Sequence, residues 1–313
     1  SWFYVMVVVT VLLFTELKHT FTELAQRMKN DEMITLAKFL AISGIILPML
    51  PNENLIPDIN LTPYTVWLAT VVVSGISYLS YLLRRYVFHE SGILVSGIIG
   101  GLYSSTATIS VLARKSRKAP AQEAPEYAAA MLLAVSMMFL RFLILIGIFS
   151  KAILAEIYPY LLIMSFVTAG VAWYLHRKRK SIPVTGEEAE EEDSSNPLEF
   201  KVALIFAVLF VIFTIVTHYT LIYTGTGGLN VLSFIAGLSD ITPFILNLLQ
   251  GSGVAVVVVT ACCMQAIVSN IAVNMCYALF FAGGKSPLRR WVLRGFGGVI
   301  AVNVCLLLFF YLL

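Results

Sequence analysis

A chain of 313 residues with 59% hydrophobic and only 12% charged side chains carries more apolar surface than a soluble core can hide, which excludes a water-soluble globular protein. The formal net charge of +3 says little as a total, because in a membrane chain only its distribution between the two faces matters. The composition defines an all-α polytopic membrane protein. In chain order, apolar windows fall at 2–15, 33–50, 63–83, 127–150, 153–175, 199–222, 254–281 and 291–313. Each suffices to cross about 30 Å of hydrocarbon, giving about eight spanning helices. The first window opens directly after Ser1 with no charged n-region or cleavage site, so it reads as a span rather than a signal peptide. The four cysteines, Cys262, Cys263, Cys276 and Cys305, lie inside apolar helices and form no disulfide, zinc or redox motif.

Two further apolar segments, 92–113 and 229–249, have the length of a span but the wrong interior. Gly100-Gly101 interrupts the first and Gly237 the second, and each break is followed by hydroxyl or acidic residues: Ser104-Ser105-Thr106, and Ser239-Asp240-Ile241-Thr242-Pro243. Ser, Thr and Asp are helix N-caps and Pro is favoured at the first helical position, so Thr242-Pro243 reads as a helix start in mid-membrane. Each arm is about 10 residues, or roughly 15 Å, half a bilayer.

The basic residues discriminate between two topologies. If all ten segments span, 11 Lys and Arg residues share one face against 9 on the other. If 92–113 and 229–249 are re-entrant helical hairpins, Lys151 crosses alone and the split becomes 19 against 1, with Arg141 inside a helix. The positive-inside rule selects the hairpins and places the basic loops in the cytoplasm.

Pro63 opens one unit of helix, hairpin, helix, helix, and Pro197 opens a second. The tips align at an offset of 136, Gly101 with Gly237, Ser104 with Asp240 and Thr106 with Thr242; the following helices align at 133, Ser136 with Ser269 and Arg141 with Asn274. Three spans separate the two starts, so the repeats, 63–175 and 197–313, are expected to be inverted, and their hairpin tips to meet near the midplane. Between them, 176–196 is a charged cytoplasmic linker in which Arg177 to Lys180 precede a run of glutamates.

The candidate ion-binding residues are Ser104, Ser105, Thr106, Asp240, Thr242, Asn270 and Asn274. Asp240 is the candidate metal ligand, at a helix N-terminus that favours its ionised form. Arg141, a costly charge in an apolar helix, needs a partner, and an Arg141–Asp240 pair is the economical expectation. Asn270 and Asn274, four apart, share a helix face. His89, Glu90 and His218 read as interfacial anchors. No Walker loop, dinucleotide fingerprint, His-Glu-x-x-His or nucleophile elbow occurs, so neither an enzyme nor a cofactor is expected.

The stretch Gly100 to Thr108 with Leu112-Ala113-Arg114-Lys115-Ser116-Arg117, together with Val66-Trp67-Leu68, Ser74-Gly75-Ile76-Ser77, Ala236-Gly237-Leu238, Asp240 and Ser269-Asn270, resembles the uncharacterised membrane domain that follows the MgtC/SapB-type domain in bacterial and archaeal proteins. The resemblance covers about 63 to 313, and it implies that 1–55 holds the last two helices of an MgtC-like part. It also implies a bacterial or archaeal cell membrane and a loose association with magnesium homeostasis. This chain departs from the family's pattern in having Thr242 where a second acidic residue is usual and Asn274 where a lysine is usual.

The reading that follows is a transporter or channel for a small inorganic ion, with a cation, divalent ions included, slightly favoured. An anion pathway using Arg141 and the helix N-termini is the alternative, and a non-transporting regulatory or scaffold protein is another. The expected partners are the lipid bilayer and a small inorganic ion, not nucleic acid, with a homo-oligomer as an admissible assembly.

Overall fold

The computed structural model describes residues 30–56, 59, 61–83, 92–178, 200–250, 253–284 and 286–312. The expected span 2–15, the anchors His89 and Glu90, and nearly all of the charged linker lie outside them. The chain divides into two compact units, Ser1–Leu50 and Pro51–Leu313. In the first, α1 (Asn30–Ala41) runs through a π-helical turn, Ile42–Ile46, into the short α2 (Leu47–Met49), so the expected span 33–50 is helical but not regular.

The second unit opens at a cap that the sequence announces. Thr62 and Thr65 exchange hydrogen bonds, the Thr65 N–H donating to Thr62 Oγ1 at 3.1 Å and the Thr62 N–H to Thr65 Oγ1 at 3.2 Å. Pro63 follows at the first helical position, where its missing N–H has no partner to lose. From there run α3 (Pro63–Leu82), α4 (Ile93–Lys115), α5 (Ala124–Phe149), α6 (Lys151–His176), α7 (Phe200–Gly237), α8 (Ile241–Leu249), α9 (Val256–Ala282) and α10 (Leu288–Leu312). No β-strand occurs among the described residues. Seven of these helices are long and apolar enough to cross a membrane.

Length alone misdescribes two of them. In α4 the backbone leaves the helical region at Ser104 (φ −156°, ψ 110°), and a Cβ added at Gly100 would sit 2.5 Å from Thr108 Oγ1. Residues eight apart in a straight helix are about 12 Å apart along its axis, so the chain folds back on itself at Ser104. In α7 the same thing happens at Gly225 (φ 64°, ψ −155°), where Gly228 lies against Thr220 and Thr224. The returning arm ends at Gly237, and α8 doubles back again beside its parent helix: the Asn247 side chain donates to Thr217 Oγ1 at 2.9 Å and to the Phe213 carbonyl at 3.3 Å.

The glycines of the first folded segment do a different job from the one expected of them. The break comes at Ser104, not at Gly100-Gly101. Gly101 lies against the backbone of Ala134, so that an added Cβ would come within 2.5 Å of its Cα, and Gly97 packs in the same way on Ala130. Small residues on both sides let the arm and α5 approach backbone to backbone, the means by which membrane helices associate without a hydrophobic driving force. Gly237 does the same against Ala266 and Ser269 of α9. The two helices that receive the arms hold much of the core: Ala128 to Leu132 of α5 and Cys262, Cys263, Ala266, Ile267 and Ile271 of α9 are fully enclosed.

Basic residues gather at one end of the bundle. Arg117 donates to the Phe280 carbonyl at 3.3 Å and lies beside Gly283, while Arg114 sits over the Phe281 ring at 5.0 Å. Gly295 contacts both Leu132 and Leu175, which brings the start of α10 and the end of α6 to that same end. Lys151 opens α6 at the other end.

Candidate functional site

Each fold-back exposes two sets of unpaired backbone groups: the carbonyls ending the inbound arm and the N–H groups beginning the outbound arm. At the first tip Ser104 caps the outbound arm, its Oγ accepting from the Ala107 N–H at 3.3 Å. At the second tip Asp240 caps α8, its Oδ1 accepting from the Thr242 N–H at 3.0 Å. The helix start expected at Thr242-Pro243 therefore comes two residues earlier. A carboxylate at the N-cap bonds the second N–H of the helix, and Pro243 falls in the first turn, where a missing donor costs nothing.

The carbonyl ends are also satisfied, by different means. Arg141 of α5 donates from Nη1 to the Tyr103 carbonyl at 2.7 Å. Asn270 of α9 donates from Nδ2 to the carbonyls of Gly237, at 3.2 Å, and Ser239, at 3.3 Å. Tyr103 and Ser239 stand at the same offset of 136 that relates the caps.

The expected Arg141–Asp240 ion pair is not formed: each charge is engaged at its own tip. Arg141 faces the carbonyl end of a broken helix, where partial negative charge attracts a cation, and Asp240 faces the N–H end, where partial positive charge attracts an anion. The helix termini thus add to the attraction that Arg141 and Asp240 still exert on each other across the cavity without touching. The Arg141 Nε is buried without a hydrogen-bond partner.

Between the tips lies a cavity of about 390 Å³. Ser104, Ser105, Thr106, Arg141, Asp240, Thr242 and Asn270 all line it, and Asp240 is exposed within the monomer rather than packed away. Asn274 is fully buried behind the wall, where its Oδ1 accepts from Thr106 Oγ1 at 2.8 Å and its Nδ2 donates to Asn270 Oδ1 at 3.1 Å. Arg141 and every candidate ion-binding residue of the sequence are therefore on the cavity wall or one hydrogen bond behind it. Apolar side chains, including Val73, Phe142 and Phe206, make up much of the remaining wall.

Five polar wall residues escape the sequence reading as site residues: Ser74, Ser77, Tyr103, Ser239 and Tyr277. Ser74 and Ser77 are three apart in an apolar helix, and Tyr277 follows Asn274 by three, so helical spacing could have found them. His218, read as an anchor, is half-buried on α7 with its ring against Tyr219. Cys262 and Cys263 are buried and Cys276 and Cys305 exposed, all as free thiols. No group of three His, Cys, Asp or Glu able to hold a metal occurs among the described residues.

Apolar helices in this number, two of them folded back around a polar cavity, define an integral membrane protein of the all-helical class. The chain belongs to the family described as Domain of unknown function (DUF4010), which matches residues 71–282. A protein of Aquifex aeolicus (strain VF5), described only as uncharacterized, is similar to it, with 26% identity over 201 residues that cover 62% of this chain and 84% of the relative. No solved structure matches. The family match falls inside the stretch that resembles the membrane domain of MgtC/SapB-like proteins, but neither comparison names an MgtC/SapB-type protein.

Proposed function

We propose that this protein is a transporter or channel for a small inorganic ion, with its site between two re-entrant half-helix tips. The observation that carries the reading is the cavity of about 390 Å³ between the tips, walled by the caps Ser104 and Asp240 and by Arg141. Broken backbone at membrane depth is tolerated where it is buried in protein or lines a watery cavity. A scaffold would be better served by a closed, apolar centre.

In this reading 63–175 and 197–313 are inverted repeats joined by the linker 176–196. Three parallels support the repeat: caps at Ser104 and Asp240, close packing at Gly101 and Gly237, and donated hydrogen bonds to Tyr103 and Ser239. The clustering of Arg114, Arg117 and the start of α10 at one end supports a cytoplasmic basic face. The MgtC-like character of 1–55 and the prokaryotic cell membrane rest on the resemblance alone.

A cation fits the site better than an anion. Asp240 already occupies the N-terminus of α8, so an anion arriving there meets a carboxylate instead of free N–H groups. The anion reading draws on one observation, the unpartnered Nε of Arg141. Ion uptake into proteoliposomes, comparing wild type with Asp240→Asn and Arg141→Gln, tests both. Loss of cation uptake in Asp240→Asn supports the first reading, and anion uptake abolished in Arg141→Gln supports the second. Uptake unchanged by either substitution removes the site.

A further inference from the structure

The hydrogen-bond chain behind the cavity wall has a direction, and that direction fixes what the wall offers an ion. Backbone carbonyls can only accept, so the Asn270 group facing Gly237 and Ser239 must be its amide nitrogen. Its Oδ1 is then turned to Asn274, which donates to it from Nδ2. The Asn274 Oδ1 is in turn left facing Thr106, and Thr106 spends its one hydroxyl proton on it at 2.8 Å. Fixed at one end by two carbonyls, the relay therefore strips the Thr106 hydroxyl of its donor. What Thr106 presents to the cavity is lone pairs only.

Asp240 likewise keeps one oxygen on the Thr242 N–H and has a second, acceptor-only oxygen remaining. Two side chains on opposite tips thus offer the same cavity electron pairs without protons. We propose that Thr106 Oγ1, held acceptor-only by the Asn270–Asn274 relay, and the Asp240 carboxylate are ligands of a monovalent alkali cation; this deepens the transport reading and rests on it.

The charge inventory selects the valence. The cavity wall carries one carboxylate and one guanidinium, so a bound ion's charge is the net charge of the site. The cost of a charge in a low-dielectric medium grows with its square, which makes a divalent ion roughly four times as costly as a monovalent one. Divalent sites offset that with several carboxylates, and here the position two beyond Asp240 is Thr242. Neutral oxygens with one carboxylate suit sodium or potassium.

Two measurements on the full chain test this. In detergent at constant ionic strength, the thermal midpoint is expected to rise with sodium or potassium chloride and not with choline chloride; magnesium should add nothing. In proteoliposomes, sodium or rubidium tracer uptake is expected, with Thr106→Val lowering it about tenfold, the loss of one good polar contact, and Thr106→Ser staying within about twofold of wild type. Equal midpoints in every salt, or Thr106→Val transporting like wild type, overturns the cation site. Magnesium or chloride uptake without alkali uptake overturns it while transport stands. Alkali-dependent stabilisation without uptake of any ion supports the site and overturns transport.

Discussion

The two tips solve one problem with opposite charges. At the first, a neutral hydroxyl caps the outbound arm and a guanidinium holds one carbonyl; at the second, a carboxylate caps the outbound arm and a neutral amide holds two carbonyls. Each tip carries a single charge, each is placed where the helix dipole favours it, and the two attract each other across the cavity without forming a contact pair. The lesson is that an isolated intramembrane charge does not by itself predict an ion pair. A broken helix can be its partner.

The largest effect expected in this comparison is on the packing that both tips share. Gly101→Leu drives a side chain into the Ala134 backbone and is expected to cost about 3 kcal/mol or more, read as loss of monodisperse protein or a sharply lowered thermal midpoint. Gly298→Leu, with nothing within 4 Å of the added carbon, should leave that midpoint near wild type. Next comes Asn270→Leu, which leaves two carbonyls without a donor and is expected to cost about 2 kcal/mol in a denaturation assay, within the range for unsatisfied buried acceptors. Arg141→Gln retains an amide that can reach the Tyr103 carbonyl, so about 1 kcal/mol is expected there. If Arg141→Gln proves far costlier than Asn270→Leu, the guanidinium has a partner beyond that carbonyl. The smallest stability change belongs to Asp240→Asn. Asn and Asp cap comparably, so a shift of at most about 0.5 kcal/mol should accompany a large loss of cation uptake.

Much of this site could be read from the chain because membrane depth makes polar residues conspicuous. Ser104, Asp240 and Arg141 stand out against apolar neighbours, and each lines the cavity. What could not be read was the pairing. Coulomb reasoning joins the two deep charges, but backbone carbonyls are anonymous in a sequence, and the carbonyl of Tyr103 is what Arg141 holds. Gly100-Gly101 misled for a related reason. Glycine signals both a break and a close approach, and only the position of Ala134 decides between them. The reversal at Gly225 was more legible: it falls between the expected span 199–222 and the expected hairpin 229–249, where Thr224-Gly225-Thr226-Gly227-Gly228 interrupts the apolar sequence.

That reversal has a mechanical consequence. Gly225 holds φ 64° and ψ −155°, a backbone state essentially closed to any residue with a side chain, and it joins Phe200–Thr224 to the returning arm with no intervening loop. The outer helix therefore passes directly into the arm that leads to Asp240, and their joint is glycine, the one residue with no side chain to restrict its backbone. Any side chain put at position 225 would have to undo this fold-back before it could fit.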